Sequence, residues 1–282
     1  MLEPLDRLVY RDLVRRALAE DIGSGDVTTG AIVPPHTHAR ATIGAKATCV
    51  VAGLEVVAEV FHQMDARLQF VRVRQDGDLC QPDDVLAEVS GSAASILSAE
   101  RTALNFVQHL SGIATLTRRF VDAAHRTVTI LDTRKTIPTM RALAKYAVRC
   151  GGGTNHRVGL YDSVLIKDNH IRIAGSVIEA VRRVQTAGLE GPIEVETQSL
   201  DEVDQAIEAG ADVIMLDNLD DPTMREAIRR IAGRARVEIS GGVTRDVLLF
   251  LAAIGADCVS IGALTHSAAA ADISLEIETD GR

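Results

Sequence analysis

Four glycines set the frame of the C-terminal half: Gly188, Gly210, Gly233 and Gly255 stand 22, 23 and 22 residues apart. Each sits where an amphipathic stretch ends, the position at which a helix commonly closes in the left-handed conformation that glycine adopts at least cost. Ahead of these glycines, apolar residues recur at helical spacing: Val177, Ile178, Val181 and Val184, then Leu200, Val203 and Ile207, then Met224, Ile228 and Ile231, then Val247, Leu248, Leu251 and Ile254. Between the helical stretches lie short β-branched or apolar runs at 128–131, 164–166, 193–195, 213–216, 237–239 and 258–261. One strand and one helix per repeat make a βα unit, and its repetition suits a parallel α/β barrel better than a meander. Six strands are countable, so the barrel is expected to be incomplete, with a doubly wound open sheet as the rival. Local punctuation agrees: Ser199 with Glu202 reads as a capping box, Asp221 precedes Pro222 at a helix start, and Thr244 is placed to cap the helix after it.

The N-terminal part has another rhythm. A helix is expected over 7–20, followed by the loop Asp21-Ile22-Gly23-Ser24-Gly25-Asp26 and by alternating, antiparallel-type segments at 41–51 and 70–73. A long helical stretch at 95–124, with an expected break at Gly112, joins this part to the barrel. The boundary is therefore placed near Gly112.

Composition narrows the function classes. The 282 residues are 46% hydrophobic and carry a formal net charge of -9, which argues against a general nucleic-acid binder. The first twenty residues lack the apolar core of a signal peptide, and no run is long and apolar enough to cross a bilayer, so a soluble cytoplasmic protein is expected. Cys49, Cys80, Cys150 and Cys258 form no C-x-x-C pair and read as buried thiols. Against the acidic average, residues 134–172 hold eight Lys or Arg and only two acids. Such clustering costs self-repulsion, which a small polyanionic ligand relieves.

In a parallel barrel, functional groups gather where strands run into loops. Those places here are Asp132-Thr133-Arg134-Lys135, Lys167-Asp168-Asn169-His170, Glu196, Asp217-Asn218, Ser240-Gly241-Gly242 and Ile261-Gly262-Ala263-Leu264-Thr265-His266. Ordinary turns have no need of Lys or Arg. Ser240-Gly241-Gly242 and Ile261-Gly262-Ala263 offer backbone N–H groups that a phosphomonoester can approach. Arg134, Lys135, His156 and Arg157 supply donors for carboxylates, while Glu196 and Asp217 suit ribose hydroxyls, water-mediated Mg²⁺ or a developing positive charge. Each has a bland counterpart: Ser240-Gly241-Gly242 can be a mere turn, and Glu196 and Asp217 can be structural ion-pair partners. Gly151-Gly152-Gly153 lacks the preceding strand of a dinucleotide fingerprint and reads as a flexible loop. No role attaches to His36, His38, His62, His109 or His125.

Together the segments around Glu20 to Asp26, Ser98 to Asn105, Asp132 to Thr136, Asn155 to Arg157, Leu165 to His170, Glu194 to Glu196, Met215 to Asn218 and Ser240 to Gly242 resemble the quinolinate phosphoribosyltransferase family along nearly the whole chain. The resemblance implies the type II phosphoribosyltransferase architecture, an N-terminal α/β sandwich domain (1–112, completed by the tail 271–282) and an incomplete parallel α/β barrel (113–270). It implies transfer from phosphoribosyl pyrophosphate to quinolinate with decarboxylation, giving nicotinate mononucleotide for NAD biosynthesis. On that pattern quinolinate meets Arg101, Thr133, Arg134, Lys135, His156, Arg157 and Lys167. Phosphoribosyl pyrophosphate meets Glu196, Asp217, Ser240, Gly241, Gly242, Ile261, Gly262, Ala263 and His266, with Mg²⁺ at Glu196 and Asp217, directly or through water. Lys135, Lys167, Glu196 and Asp217 are the expected catalytic set, and a homodimer is expected in which Arg101 reaches the partner's site. Four alternatives stand beside this reading: a pyrophosphorylase-like relative associated with molybdate transport, a nicotinate phosphoribosyltransferase without the decarboxylation, an aldolase in which Lys167 or Lys135 forms a Schiff base, and a non-catalytic sensor of a phosphorylated metabolite.

Overall fold

The computed structural model describes residues 2–279 and divides into two compact units, which among these residues are 2–118, 136–152 and 264–279 for one and 119–135 and 153–263 for the other. The first unit opens with α1 (Arg7–Ile22), whose first turn is capped by the Asp6 carboxylate accepting from the Leu8 N–H. It continues through β1 (His38–Ala45), α2 (Leu54–Met64), β2 (Gln69–Arg72) and β3 (Val85–Ser92). The predicted segment at 41–51 is interrupted after Ala45, and only Cys49–Val50 resumes pairing. A C-terminal strand, Ile273–Thr279, pairs antiparallel with β1, giving the sheet order tail, β1, β3, β2. Ala39, Ala41, Ile43 and Ala45 alternate inward along β1, and Leu54, Val57, Val60 and Phe61 of α2 are buried with them.

The predicted helix break at Gly112 is absent: α3 (Ala93–Ala123) runs through it without interruption. Gly112 is instead a close-approach residue, because a Cβ there would stand 2.1 Å from the Ala269 carbonyl oxygen. Gly112→Ala should gain helix propensity and still lose stability by about 2 kcal/mol, since the clash is with backbone that cannot swing aside. A denaturant midpoint at or above the parent value would contradict that reading. Gly151 behaves alike: its Cβ would meet the Ala114 carbonyl oxygen at 2.4 Å, so this glycine closes a packed helix end rather than opening a flexible loop.

The second unit contains six strands, β4 (Thr129–Leu131), β5 (Val164–Ile166), β6 (Ile193–Thr197), β7 (Val213–Asp217), β8 (Arg236–Ser240) and β9 (Cys258–Ser260). All the pairings are parallel, in the order β4, β9, β8, β7, β6, β5. The first strand pairing with the last is barrel topology and excludes the doubly wound rival. No ladder joins β4 to β5 among the described residues. That gap is stitched by the chain around Thr154, which bridges Leu131 and donates its N–H to the Ile130 carbonyl at 2.9 Å.

Four helices of this unit follow the predicted periodicity: α4 (Val177–Thr186), α5 (Leu200–Glu208), α6 (Asp221–Ile231) and α7 (Leu248–Ile254). Gly188, Gly210, Gly233 and Gly255 all have positive φ, between 65° and 106°. Details of the caps differ. Ser199 accepts the Glu202 N–H at 3.2 Å, but the Glu202 carboxylate reaches back to the Gln198 N–H at 2.6 Å. Asp220, rather than Asp221, caps α6 through the Thr223 N–H at 3.0 Å. Thr244 precedes a 3-10 turn and accepts no capping bond from its backbone. All four cysteines are buried and free. Among the described residues no helix is long and apolar enough to cross a membrane.

Candidate active site

The C-terminal ends of β4 to β8 open on one cavity of about 390 Å³. Thr133, Arg134 and Lys135 enter it from the end of β4, His156 and Arg157 from the segment that fills the barrel gap, and Lys167 from β5. Glu196, Asp217 and the Ser240-Gly241-Gly242 turn reach it from β6, β7 and β8. The cations of several loops therefore converge with the two acids in one chamber, as the spacing of the strand ends implied. Arg101 is exposed on α3 and belongs to the first unit, as does His266, exposed at the end of the short helix Ala263–His266. Ile261, Gly262 and Ala263 belong to the second unit but do not line the cavity.

The gap segment is held by a residue that the sequence reading named only as part of a strand end. Asp132 is fully buried and accepts from Asn155 Nδ2 at 2.6 Å and from the His156 backbone N–H at 2.9 Å. A buried carboxylate with two such donors fixes a loop more firmly than packing alone. Arg157 donates to the Ser163 carbonyl at 3.3 Å, and burial together with the nearby charge of Arg134 lowers its pKa. Arg134 Nε is buried without a partner. An unpartnered donor beside a second guanidinium makes this corner electron-poor, prepared for a carboxylate.

Lys167 forms an ion pair with Glu196, so the ionic partner anticipated for this acid is present. Asp217 accepts from Asn218 Nδ2 at 2.9 Å. Asn218 has φ of 55°, and a Cβ on Gly241 would lie 2.1 Å from its Oδ1, so glycine at 241 is required by close packing as well as by its own φ of 96°. Gly242 also has positive φ, which turns the chain at the end of β8 as an anion-receiving loop needs. Thr197 is buried and donates from Oγ1 to the Met215 carbonyl at 3.0 Å, tying the end of β6 to β7.

Leu165, Met215 and Asn218 line the cavity without having been predicted as site residues, and so do buried polar residues of its floor. Glu194, Glu238 and Ser260 are buried on β6, β8 and β9, and Glu238 and Ser260 line the cavity. Their signal was available in period two: Glu194 shares a strand face with Glu196, and Glu238 with Ser240.

Parallel strands ending on a cation-lined chamber with two acids at its rim define an α/β-barrel enzyme site for small anionic reactants. The sequence model of the quinolinate phosphoribosyl transferase C-terminal domain matches residues 113–276, and that of the N-terminal domain matches 26–111. The probable nicotinate-nucleotide pyrophosphorylase [carboxylating] of Bacillus subtilis is 42% identical over 97% of this chain and 95% of its own length. The nicotinate-nucleotide pyrophosphorylase [carboxylating] of Mycobacterium leprae is 43% identical over 98% of this chain and 100% of its own. The crystal structure of NadC from Streptococcus pyogenes superposes with a TM-score of 0.94 at 40% identity, covering 99% of this chain and 100% of that one. This chain belongs to the quinolinate phosphoribosyltransferase family. Human nicotinic acid phosphoribosyltransferase, at 13% identity and a TM-score of 0.64, shares the fold alone.

Proposed function

We propose that this chain transfers the phosphoribosyl group of phosphoribosyl pyrophosphate to quinolinate with loss of one carboxylate, releasing nicotinate mononucleotide, CO₂ and pyrophosphate. The observation that carries the reading is the convergence of Arg134, Lys135, Arg157 and Lys167 with Glu196 and Asp217 on one cavity. Quinolinate brings two carboxylates, and the unpartnered Arg134 Nε with its neighbour Arg157 is matched to them. Thr133 and His156 shape the same wall. The Ser240-Gly241-Gly242 turn suits the 5-phosphate; Ile261, Gly262, Ala263 and His266 are assigned to that end by family resemblance.

As the sugar loses pyrophosphate, positive charge grows at its C1, and Glu196 and Asp217 stabilise that charge more in the transition state than in the ground state. The hard oxygen donors of these two carboxylates, carried on neighbouring strands, also fit Mg²⁺ with water completing its shell. Held by Glu196 and Asp217, such an ion would neutralise diphosphate charge. Lys167 then exchanges its pairing with Glu196 for a substrate carboxylate, and Lys135 adds a further point charge. Arg101, exposed on α3, is assigned to the cavity of a second copy in a homodimer that works in the cytoplasm.

Incubating the protein with quinolinate, phosphoribosyl pyrophosphate and Mg²⁺ should yield mononucleotide and CO₂ in equal amounts. Quinolinate left unconsumed, or CO₂ without mononucleotide, overturns the assignment. The Schiff-base alternative is disfavoured because the Lys167 amine is engaged in an ion pair with Glu196 and is not presented free to a carbonyl. Borohydride treatment with carbonyl substrates should therefore trap no adduct on Lys167.

A further inference from the structure

Beneath the cavity rim lies a buried pair of carboxyl groups for which phosphoribosyl transfer itself has no use. Glu238 is 2% exposed, and Glu194 is buried beside it on the next strand but one. Both face the ring of His156, whose Nε2 stands 3.0 Å from a Glu194 oxygen and 3.6 Å from a Glu238 oxygen. One oxygen of each acid, Oε1, has no hydrogen-bond partner, and neither does the Ser260 hydroxyl.

The three side chains are close enough to resemble a metal centre. The imidazole argues otherwise. His156 Nδ1 accepts the Arg157 backbone N–H at 2.8 Å, so Nδ1 carries the lone pair and Nε2 carries the hydrogen. A ring fixed in that tautomer donates from Nε2 and cannot ligate a metal there. Its Nε2–H is within hydrogen-bond reach of Glu194 and not of Glu238, so the two acids share a dry site with one imidazole donor between them. Two such carboxyls cannot both ionise at modest cost, and one keeps a proton. Glu194 has the Nε2–H donor within hydrogen-bond reach and Glu238 does not, which leaves the proton on Glu238. Burial first, then the charge of Glu194, pushes the Glu238 pKa up to about 7. The other groups facing it are His156 on the gap segment and Cys258 and Ser260 on β9; the Cys258 Sγ lies 3.7 Å from it, with its own thiol pushed up to about 12 by burial. Arg157 faces Glu194 from the gap segment.

Glu238 lines the cavity one layer below Ser240 on the same strand face. A protonated carboxyl with one open oxygen, set under the substrate chamber, is a proton donor without an assigned acceptor. We propose that Glu238 delivers the proton that replaces the departing carboxylate at C2 of the pyridine ring, with His156 and Glu194 holding it in position. This rests on the decarboxylating activity proposed above. In that step the bond from C2 to its carboxylate breaks and CO₂ leaves, the electron pair staying on C2 beside the cationic ring nitrogen. The proton passes from the Glu238 carboxyl to C2, and Glu238, left as carboxylate, recovers a proton from water once product has gone.

The test is Glu238→Gln, which keeps the shape and the ability to donate a hydrogen bond but removes the transferable proton. Wild-type kcat should fall as pH rises through about 7, where the store is emptied. The variant should bind quinolinate normally, turn over about 10² to 10⁴-fold more slowly, and lose that falling limb. Difference infrared spectra of the unliganded proteins at pH 6 should show a protonated-carboxyl band in the wild type that the variant lacks, a readout independent of turnover. Turnover within about threefold of wild type with an unchanged pH profile, or an identical infrared spectrum, overturns the proposal. If the wild-type protein forms no mononucleotide, the functional reading itself has failed, an outcome distinct from a wild type that works beside an equally active variant.

Discussion

Lys167→Ala and Arg134→Ala should each lower kcat/KM by about 10³-fold, because each removes a fixed positive charge from a preorganised, partly desolvated site. The stability of the two variants should diverge from their activity. Lys167 is about two-fifths exposed, so losing its ion pair with Glu196 costs the fold little. Arg134 buries an Nε that has no partner, and removing an uncompensated buried donor leaves stability equal or higher. Steady-state kinetics beside denaturant midpoints check both halves. Near-wild-type kcat/KM in both variants would remove the cationic wall from the account, and a collapsed midpoint in Arg134→Ala would make that residue structural.

Gly241→Ala should cost about 10²-fold in kcat/KM, expressed mainly as a raised KM for phosphoribosyl pyrophosphate. The new methyl would stand 2.1 Å from Asn218 Oδ1 and 3.0 Å from its backbone nitrogen, at a φ that an L residue rarely adopts. Relief requires the turn after β8 to shift or Asn218 to leave Asp217, and either change displaces a group at the rim. Titration of quinolinate alone should show an affinity close to wild type, since Arg134 and Arg157 lie on other strands' loops. Equal losses for both substrates would instead mean that the barrel had been damaged generally.

The legible parts of this molecule are those written in a period. The recurrence at 22 or 23 residues gave the barrel, and polar residues at strand ends gave the cavity wall, because both follow from local backbone geometry. The expected break at Gly112 failed for a tertiary reason: the glycine makes room for the Ala269 carbonyl, and no local pattern encodes a partner so distant in sequence. The boundary near that glycine accordingly falls within a continuous helix, and the segment 136–152 packs with the first unit although it lies between two barrel strands. Asp132 was seen as one more strand end, since its role needs the gap segment to fold back beside β4. Glu194 and Glu238 were readable as inward-facing by alternation, but their pairing across an intervening strand, and the His156 tautomer that leaves one of them protonated, exist only in three dimensions.

The most direct measurement is a crystal structure of the protein with quinolinate and an unreactive phosphoribosyl pyrophosphate analogue bound together. Both quinolinate carboxylates should lie against Arg134, Arg157 and Lys167, with the sugar beside Glu196 and Asp217 and the 5-phosphate on the turn at Ser240-Gly241-Gly242. Ligands seated on another face, or quinolinate held without contact to any of those three cations, would contradict the single-chamber account.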